Sequence, residues 1–292
     1  MMRVAVCVTT FGRLEMLRDC LLSIIRSISS NSLYDVTLIV IDNNEQPVAK
    51  SVVESVGDRS ERSLVYAHEV RPGIPFARNR ALEVALEQKV NFIAFIDDDE
   101  TVEESWFSEM MKAVDRAHVD VVSGPVLFNT NRLTPRHRRH SSVRKWAETG
   151  NVIFKVWIAE RLRFDESLAL YGGSDTLFFR QAFELGAIIR WCESAVAIEK
   201  RPKSRQTLRW RIQRQWRYGI VSTMIESRLR TGKPTAYVIF LSLLRIVFGA
   251  LQGLLGILAG PRFSAAGFAR LIRGTGSLAG LFGFRYEEYR RE

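Results

Sequence analysis

Residues 92–101 read FIAFIDDDET: an apolar run of the kind that forms a buried strand, then three aspartates and a glutamate. Like charges packed that tightly repel and raise one another's pKa. Asp97, Asp98 and Asp99 at the end of such a strand therefore call for positive charge, from the protein or from a ligand. Working outward, four more apolar runs lie before residue 125: RVAVCVTT (3–10), VTLIVID (36–42), SLVYAHE (63–69) and VDVVSG (119–124). Stretches with helical spacing separate them. In the first, Leu14, Leu17, Leu21, Ile24, Ile25 and Ile28 recur every three or four residues, the apolar stripe of an amphipathic helix.

This βαβα rhythm, with Val and Ile runs apolar on both faces, predicts a mainly parallel, Rossmann-like sheet covered by helices on both sides. Ligands gather at the carboxyl ends of the strands in such sheets. Those ends carry Thr9, Thr10 and Phe11, then Asp42, Asn43 and Asn44, then Asp97 to Asp99. Residues 123–170 show no clear period and are expected to form a long surface excursion that includes the basic run RHRRH (136–140). A loop that long is often functional. YGGSDTLFFRQAFELGAIIRWC (171–192) predicts a Gly-rich turn, a helix from near Asp175, a stop at Gly186 and a final strand.

A chain of 292 residues with 47% hydrophobic and 25% charged residues suits one large folded domain or two small ones. The net charge of +10 is unevenly placed: Lys200 to Glu292 holds 18 lysines and arginines against 4 acids, leaving 24 against 28 in residues 1–199. Such a basic block can face nucleic acid, an anionic membrane or an acidic substrate. No aromatic platform or recognition motif accompanies the charge, so nucleic acid is not expected. Cys7, Cys20 and Cys192 have neither disulfide nor zinc spacing, and a reducing cytosol is the expected setting. The opening MMRVAVCVTTFGR is expected to be a first strand rather than a signal peptide.

Residues 236–260, AYVIFLSLLRIVFGALQGLLGILAG, lie between Pro234 and Pro261 and carry a single charge, Arg245. That is long enough to cross a bilayer. Arg245, the glycines and arginines on both flanks instead predict helices lying in or dipping into the cytoplasmic membrane face, followed by the amphipathic GFARLIR (267–273). The alternative is a buried core hairpin. A catalytic domain over 1–233 and membrane-associating helices over 234–292 are expected.

Carboxylates select hard cations, and Mg²⁺ is typically held by one or two carboxylates together with substrate phosphates. Alone, an acidic run is more often a solvated loop. Further motifs give it a context. VCVTTFGRLEML, VIDNN, RPGIPFARNRAL and FIDDDE, followed by GGSDTLFFRQAFELG, resemble in type and order the family 2 glycosyltransferases of GT-A fold, over about residues 3–220. Within that family the resemblance is to bacterial transferases that build exopolysaccharide and lipid-linked repeat units.

The resemblance implies that Thr9, Thr10, Phe11 and Asp42 hold the base of a nucleotide sugar, with Arg13 nearby, and that Gly73, Arg78 and Asn79 shape the donor pocket. It implies that Asp97 and Asp98 contact the donor and that Asp99, with Asp97, binds Mg²⁺ or Mn²⁺. It makes Asp175 the catalytic base, although Ser174 stands where the family usually has glutamate. Without the resemblance, Asp175 would read as a helix N-cap, and Arg78 and Asn79 as decoration of a helix start. Glu199 either helps hold the metal or diphosphate or is an ordinary strand-end carboxylate. In RWRIQRQWRYG, Arg214 and Arg217 share a helix face and are candidates for a donor or acceptor diphosphate, while Trp210 and Trp216 either line a sugar site or pack in the core. His68, His118, His137 and His140 show no ligand spacing.

The expected activity is an inverting, metal-dependent transfer from a nucleotide diphosphate sugar, expected to be UDP-linked, to a polyprenyl-diphosphate-linked saccharide at an anionic cytoplasmic membrane face. Two alternatives stand beside it: transfer directly onto polyprenyl phosphate, and a non-catalytic membrane-binding or nucleic-acid-binding protein.

Overall fold

The computed structural model describes residues 1–29, 33–58, 60, 62–116, 118–128, 144–200 and 207–288. The first half alternates as its apolar periods require: β1 (Met2–Thr10), α1 (Leu14–Ser29), β2 (Tyr34–Asp42), α2 (Lys50–Gly57), β3 (Ser63–His68), α3 (Ile74–Glu87) and β4 (Phe92–Asp97). Then come β5 (Glu100–Val102), α4 (Trp106–Val114), β6 (Val121–Ser123), β7 (Val126–Phe128), β8 (Asn151–Lys155) and α5 (Trp157–Arg161). A 3-10 turn over Glu166–Leu168, α6 (Ser174–Glu184), β9 (Ile189–Trp191) and β10 (Ala197–Glu199) follow.

Seven strands form one sheet in the order β3-β2-β1-β4-β8-β6-β9, and β5-β10-β7 form a smaller one. β1 pairs parallel with β2 and β4, and β2 with β3, whereas β8 runs antiparallel to both β4 and β6. Alternate residues of a strand face opposite sides. Val4, Val6 and Val8 accordingly meet Leu17, Leu21, Ile24 and Ile28 of α1 with Trp106 and Phe107 of α4, while Ala5 and Cys7 meet Ala77 and Ala81 of α3 with Phe178 and Phe179 of α6. Each fully buried side chain of that size contributes about 1.5–3 kcal/mol.

Much of the expected surface excursion is core. β8 sits between β4 and β6 with Val152, Ile153 and Phe154 fully buried. A five-residue strand whose ladder partners lie far away in the sequence leaves no periodic signal of its own. RHRRH (136–140) lies outside the described residues.

By its internal contacts the chain divides into two units, Met1–Ala169 with Ser174–Arg201, and Leu170–Gly173 with Pro202–Glu292. The second contains α7 (Leu208–Glu226), α8 (Thr235–Ala259) and α9 (Pro261–Leu281). The second unit thus takes in α7 together with α8 and α9. The cause is backbone contact between α7 and α9: a Cβ on Gly219 would lie 2.3 Å from the Arg273 carbonyl oxygen, and one on Gly276 would lie 2.3 Å from that of Trp216. α8 packs along α9, and on its other side Tyr237, Phe240, Leu243, Val247, Leu251 and Leu254 are exposed.

Candidate active site

The register of the sheet brings the polar strand ends together, with Thr9 opposite Asp97 and Thr10 opposite Asp42. Two arginines answer the acidic run. Arg13, just before α1, donates from Nη1 to Asp98 Oδ1 at 2.8 Å and to Asp99 Oδ2 at 2.7 Å. Thr10 Oγ1 donates to Asp98 Oδ2 at 2.7 Å, and the Phe11 amide reaches the same oxygen at 3.4 Å. Asp98 is thus a buried keystone of the β1 turn. Its carboxyl is still pushed up by burial, against the pull of Arg13 and Thr10.

Asp97 differs. Its side chain keeps 41% of its surface open, and its partner Arg78, on α3 and buried, stands 3.6 Å away. Loss of water around it, then Asp99, Asp98 and Asp175, push its carboxyl up to about 6 against the pull of Arg78. Asp175, at the start of α6, is near enough to act on Asp97. Its Oδ1 accepts from the Thr176 amide at 2.7 Å, and Ser174 beside it is buried. The Nε–H of Arg78 is buried with no hydrogen-bond partner among the described residues.

Two of the residues expected at the donor make their hydrogen bonds within the protein. Asp42 is fully buried: its Oδ1 accepts from the amide and side chain of Asn44, and its Oδ2 from the Ala49 amide and the Tyr66 hydroxyl. It shapes the β2 turn. Asn79 closes on Phe164 and Glu166, accepting from the Phe164 amide and donating to the Phe164 carbonyl and to Glu166 Oε1. It holds a chain segment in place. Gly73 stands just before α3: its φ is 132°, its amide donates to Asn43 Oδ1 at 3.1 Å, and a Cβ there would lie 2.7 Å from that of Ala169. Thr9 is half-buried, and Phe11 is exposed beside the turn. Arg214 and Arg217 belong to α7 in the second unit.

The sequence did not single out Glu100. It is buried, its Oε2 has no partner among the described residues, and burial, then Asp97 and Asp99, raise its pKa well above the usual range. Glu199 stands opposite it in the β5–β10 ladder. The signal was present, as Glu100 directly follows the aspartates, but only β10 shows that a second acid joins it.

Chemically this is a carboxylate-rich strand edge with a half-buried Asp97, Asp99 close by and a buried guanidinium whose Nε–H has no partner among the described residues. No set of three or more metal-binding side chains stands among the described residues. A cation shared with a diphosphate needs only one or two carboxylates, so the donor set fits Mg²⁺ or Mn²⁺.

Residues 5–185 match the family model described as glycosyl transferase family 2. The chain belongs to glycosyl transferase family 2. It is 29% identical over 266 residues to the succinoglycan biosynthesis protein ExoM of Rhizobium meliloti, covering 86% of this chain and 85% of that one. It is 23% identical over 191 residues to GalNAc(5)-diNAcBac-PP-undecaprenol beta-1,3-glucosyltransferase of Campylobacter jejuni, covering 61% of this chain and 59% of that enzyme. Among solved structures the fold is similar to the mannosyltransferase PcManGT from Pyrobaculum calidifontis in complex with GDP-Man and Mn²⁺, with TM-score 0.62, 16% identity and coverage of 96% and 87%. It is also similar to S. aureus TarS 1–349 in complex with UDP-GlcNAc, with TM-score 0.57, 15% identity and coverage of 98% and 93%. The GT-A fold expected from the motifs is the fold of this family 2 glycosyltransferase.

Proposed function

We propose that this glycosyltransferase moves a sugar from a nucleoside diphosphate sugar, expected to be UDP-linked, to a hydroxyl of a polyprenyl-diphosphate-linked saccharide, with inversion at the anomeric carbon. The observation that carries the reading is the meeting of Asp97, Asp99 and Asp175 at one strand edge, beside the unpartnered Nε–H of Arg78. Relatives and neighbours support the substrates by their names: one acts on an undecaprenol-linked saccharide, one holds UDP-GlcNAc, and one holds GDP-Man with Mn²⁺.

Asp97 and Asp99 would hold the divalent cation. When bound, such a cation offsets the charge that grows on the departing diphosphate. The protein's own groups do the rest. Arg78 offers a buried guanidinium to the diphosphate. Thr10 and Arg13 keep Asp98 and Asp99 in fixed orientations, so little reorganisation is needed as charge develops. Asp175 takes the proton of the attacking hydroxyl, and attack opposite the leaving group inverts the sugar carbon.

α8 is long and apolar enough to cross a membrane. Its apolar outer face supports attachment to the membrane, and α9, which pairs with it and carries Arg270 and Arg273, supports attachment at the cytoplasmic face without crossing.

Titration of UDP and GDP with and without Mn²⁺, followed by transfer to a lipid-linked oligosaccharide with NMR assignment of the new anomer, tests the reading. Mn²⁺-dependent nucleotide binding and an inverted product are expected. Binding indifferent to Mn²⁺, or a retained configuration, would overturn it.

A further inference from the structure

A short segment in the middle of the chain, Leu170–Gly173, groups by its contacts with the C-terminal helices, whereas Ala169 before it and Ser174 after it belong to the first unit. Gly172 and Gly173 have φ of 80° and 84°, in the left-handed region that favours glycine. Gly173 is pressed onto α7: a Cβ there would lie 2.4 Å from Cγ1 of Val221 and 3.3 Å from Cδ1 of Ile225. Val221 and Ile225 are both buried and stand one helical turn apart on the same face of α7. Gly219, Ile220 and Thr223 of the same helix lie against α9 at Arg273, Ser277 and Gly280. α7 therefore holds α9 on one side and the two-glycine turn on another.

The residue after Gly173 begins α6, and the one after that is Asp175. Among the described residues the Asp175 carboxylate is hydrogen-bonded only to its neighbour, accepting from the Thr176 amide at 2.7 Å and from the Thr176 hydroxyl at 3.4 Å. Its direction is therefore set by the backbone at the start of α6. On the far side that backbone is fixed by Leu177, Phe178 and Phe179, all buried. On the near side stand the two glycines, the residues with the most backbone freedom to lose. Branched side chains packed against Gly173 remove that freedom. The gain matters for a base, which must lie within hydrogen-bond reach of the proton it takes, since a misplacement of about 1 Å costs about 10²-fold in rate.

We propose that Val221 and Ile225 of α7 are positioning residues for sugar transfer: by fixing the turn of Gly172 and Gly173 they set the Asp175 carboxylate, so the helical unit governs the reaction through the peptide bond between Gly173 and Ser174. This rests on the reading of Asp175 as the general base and adds what holds that base in place.

Amide hydrogen exchange and transfer kinetics of the full chain test it. Val221→Ala removes the methyls over Gly173 and leaves a strong helix former in α7. Exchange at amides 172–176 should quicken, with the first half of α7 unchanged. In transfer to a lipid-linked oligosaccharide kcat should fall by about tenfold, while KM and Mn²⁺-dependent UDP affinity hold. Val221→Thr keeps the shape of valine and should restore kcat even where its hydroxyl lowers stability, a rescue that a merely structural role does not give. Added to Asp175→Asn, Val221→Ala should cost nothing further, because its effect runs through that carboxylate. Should Val221→Ala fail to fold, Ile225→Val, which deletes only the methyl nearest Gly173 on that side chain, should give the same pattern at a loss of several-fold. Unchanged exchange at 172–176, an equal loss of kcat in Val221→Thr and Val221→Ala, or the full further loss in the Asp175→Asn background would overturn the proposal. If Asp175→Asn turns over like wild type, the base reading fails, and quickened exchange at 172–176 in Val221→Ala would still uphold the anchoring of the turn by α7.

Discussion

Arg13→Met tests whether the acidic strand edge depends on an internal cation. Methionine keeps most of the apolar stem and deletes the guanidinium. The variant loses two charge-assisted hydrogen bonds, to Asp98 and Asp99, whose side chains are only 6% and 9% exposed. Such bonds contribute about 1.5–3 kcal/mol each, and an uncompensated buried charge costs about 3–5 kcal/mol. Arg13 itself is 35% exposed, so water already weakens the pair and the lower end applies, about 2–3 kcal/mol. For a domain of this size that corresponds to a fall in Tm of about 4–12 °C.

The loss should depend on pH. Burial already raises the Asp98 carboxyl, and without Arg13 it rises further. A carboxyl with a raised folded-state pKa favours the folded state at low pH, and that contribution is lost as pH climbs through the raised value. The gap between wild type and variant is therefore wider at pH 8 than at pH 5. Urea unfolding followed by near-UV circular dichroism at both pH values measures it. A gap below about 0.5 kcal/mol at pH 8, within the range of ordinary surface substitutions, or one that does not narrow at pH 5, would refute the internal-cation argument.

Asp175→Asn should retain nucleotide binding yet lose about 10²-fold or more in kcat, as expected for removal of a general base; titration and single-turnover transfer read the two effects separately. Because the Asp97 carboxyl is pushed up to about 6, protons should compete with Mn²⁺ below that pH. Mn²⁺-dependent UDP affinity should hold from pH 8 to 7 and then fall by about tenfold per unit well below 6, and a titration series across that range checks it. Cutting the chain near Thr231 should yield an aggregating protein rather than a soluble core, since Ile220 and Thr223 of α7 are covered by α9 at Gly280; gel filtration distinguishes the two outcomes.

Much of the fold was legible because its information is local. Five apolar runs of the right length, with a helical stripe such as Leu14 to Ile28 between the first two, define β1 to β4 and β6 and the layers around them. The strand order placed Thr10, Asp42 and Asp97 at one edge, and the acidic run announced itself in consecutive residues. What the residues do there was not local. Asp42 and Asn79 are polar residues at expected positions, yet their oxygens and nitrogens are taken by Ala49, Tyr66 and Phe164, and only a folded chain shows which hydrogen bonds are already made. β8 is invisible as a period because a short antiparallel strand is defined by partners far away in the sequence. Arg13 and Arg78 are separated from Asp97 to Asp99 by long stretches of chain, so the charge balance that sets those carboxyl groups is a property of sheet register. The same holds for α7: sequence spacing put Arg214 and Arg217 on one helix face, but α9 packing across glycines brought Arg273 to the ring of Tyr218. Periodicity records which face of an element is apolar. Electrostatics and hydrogen bonding depend on distances between elements, which the tertiary structure alone decides.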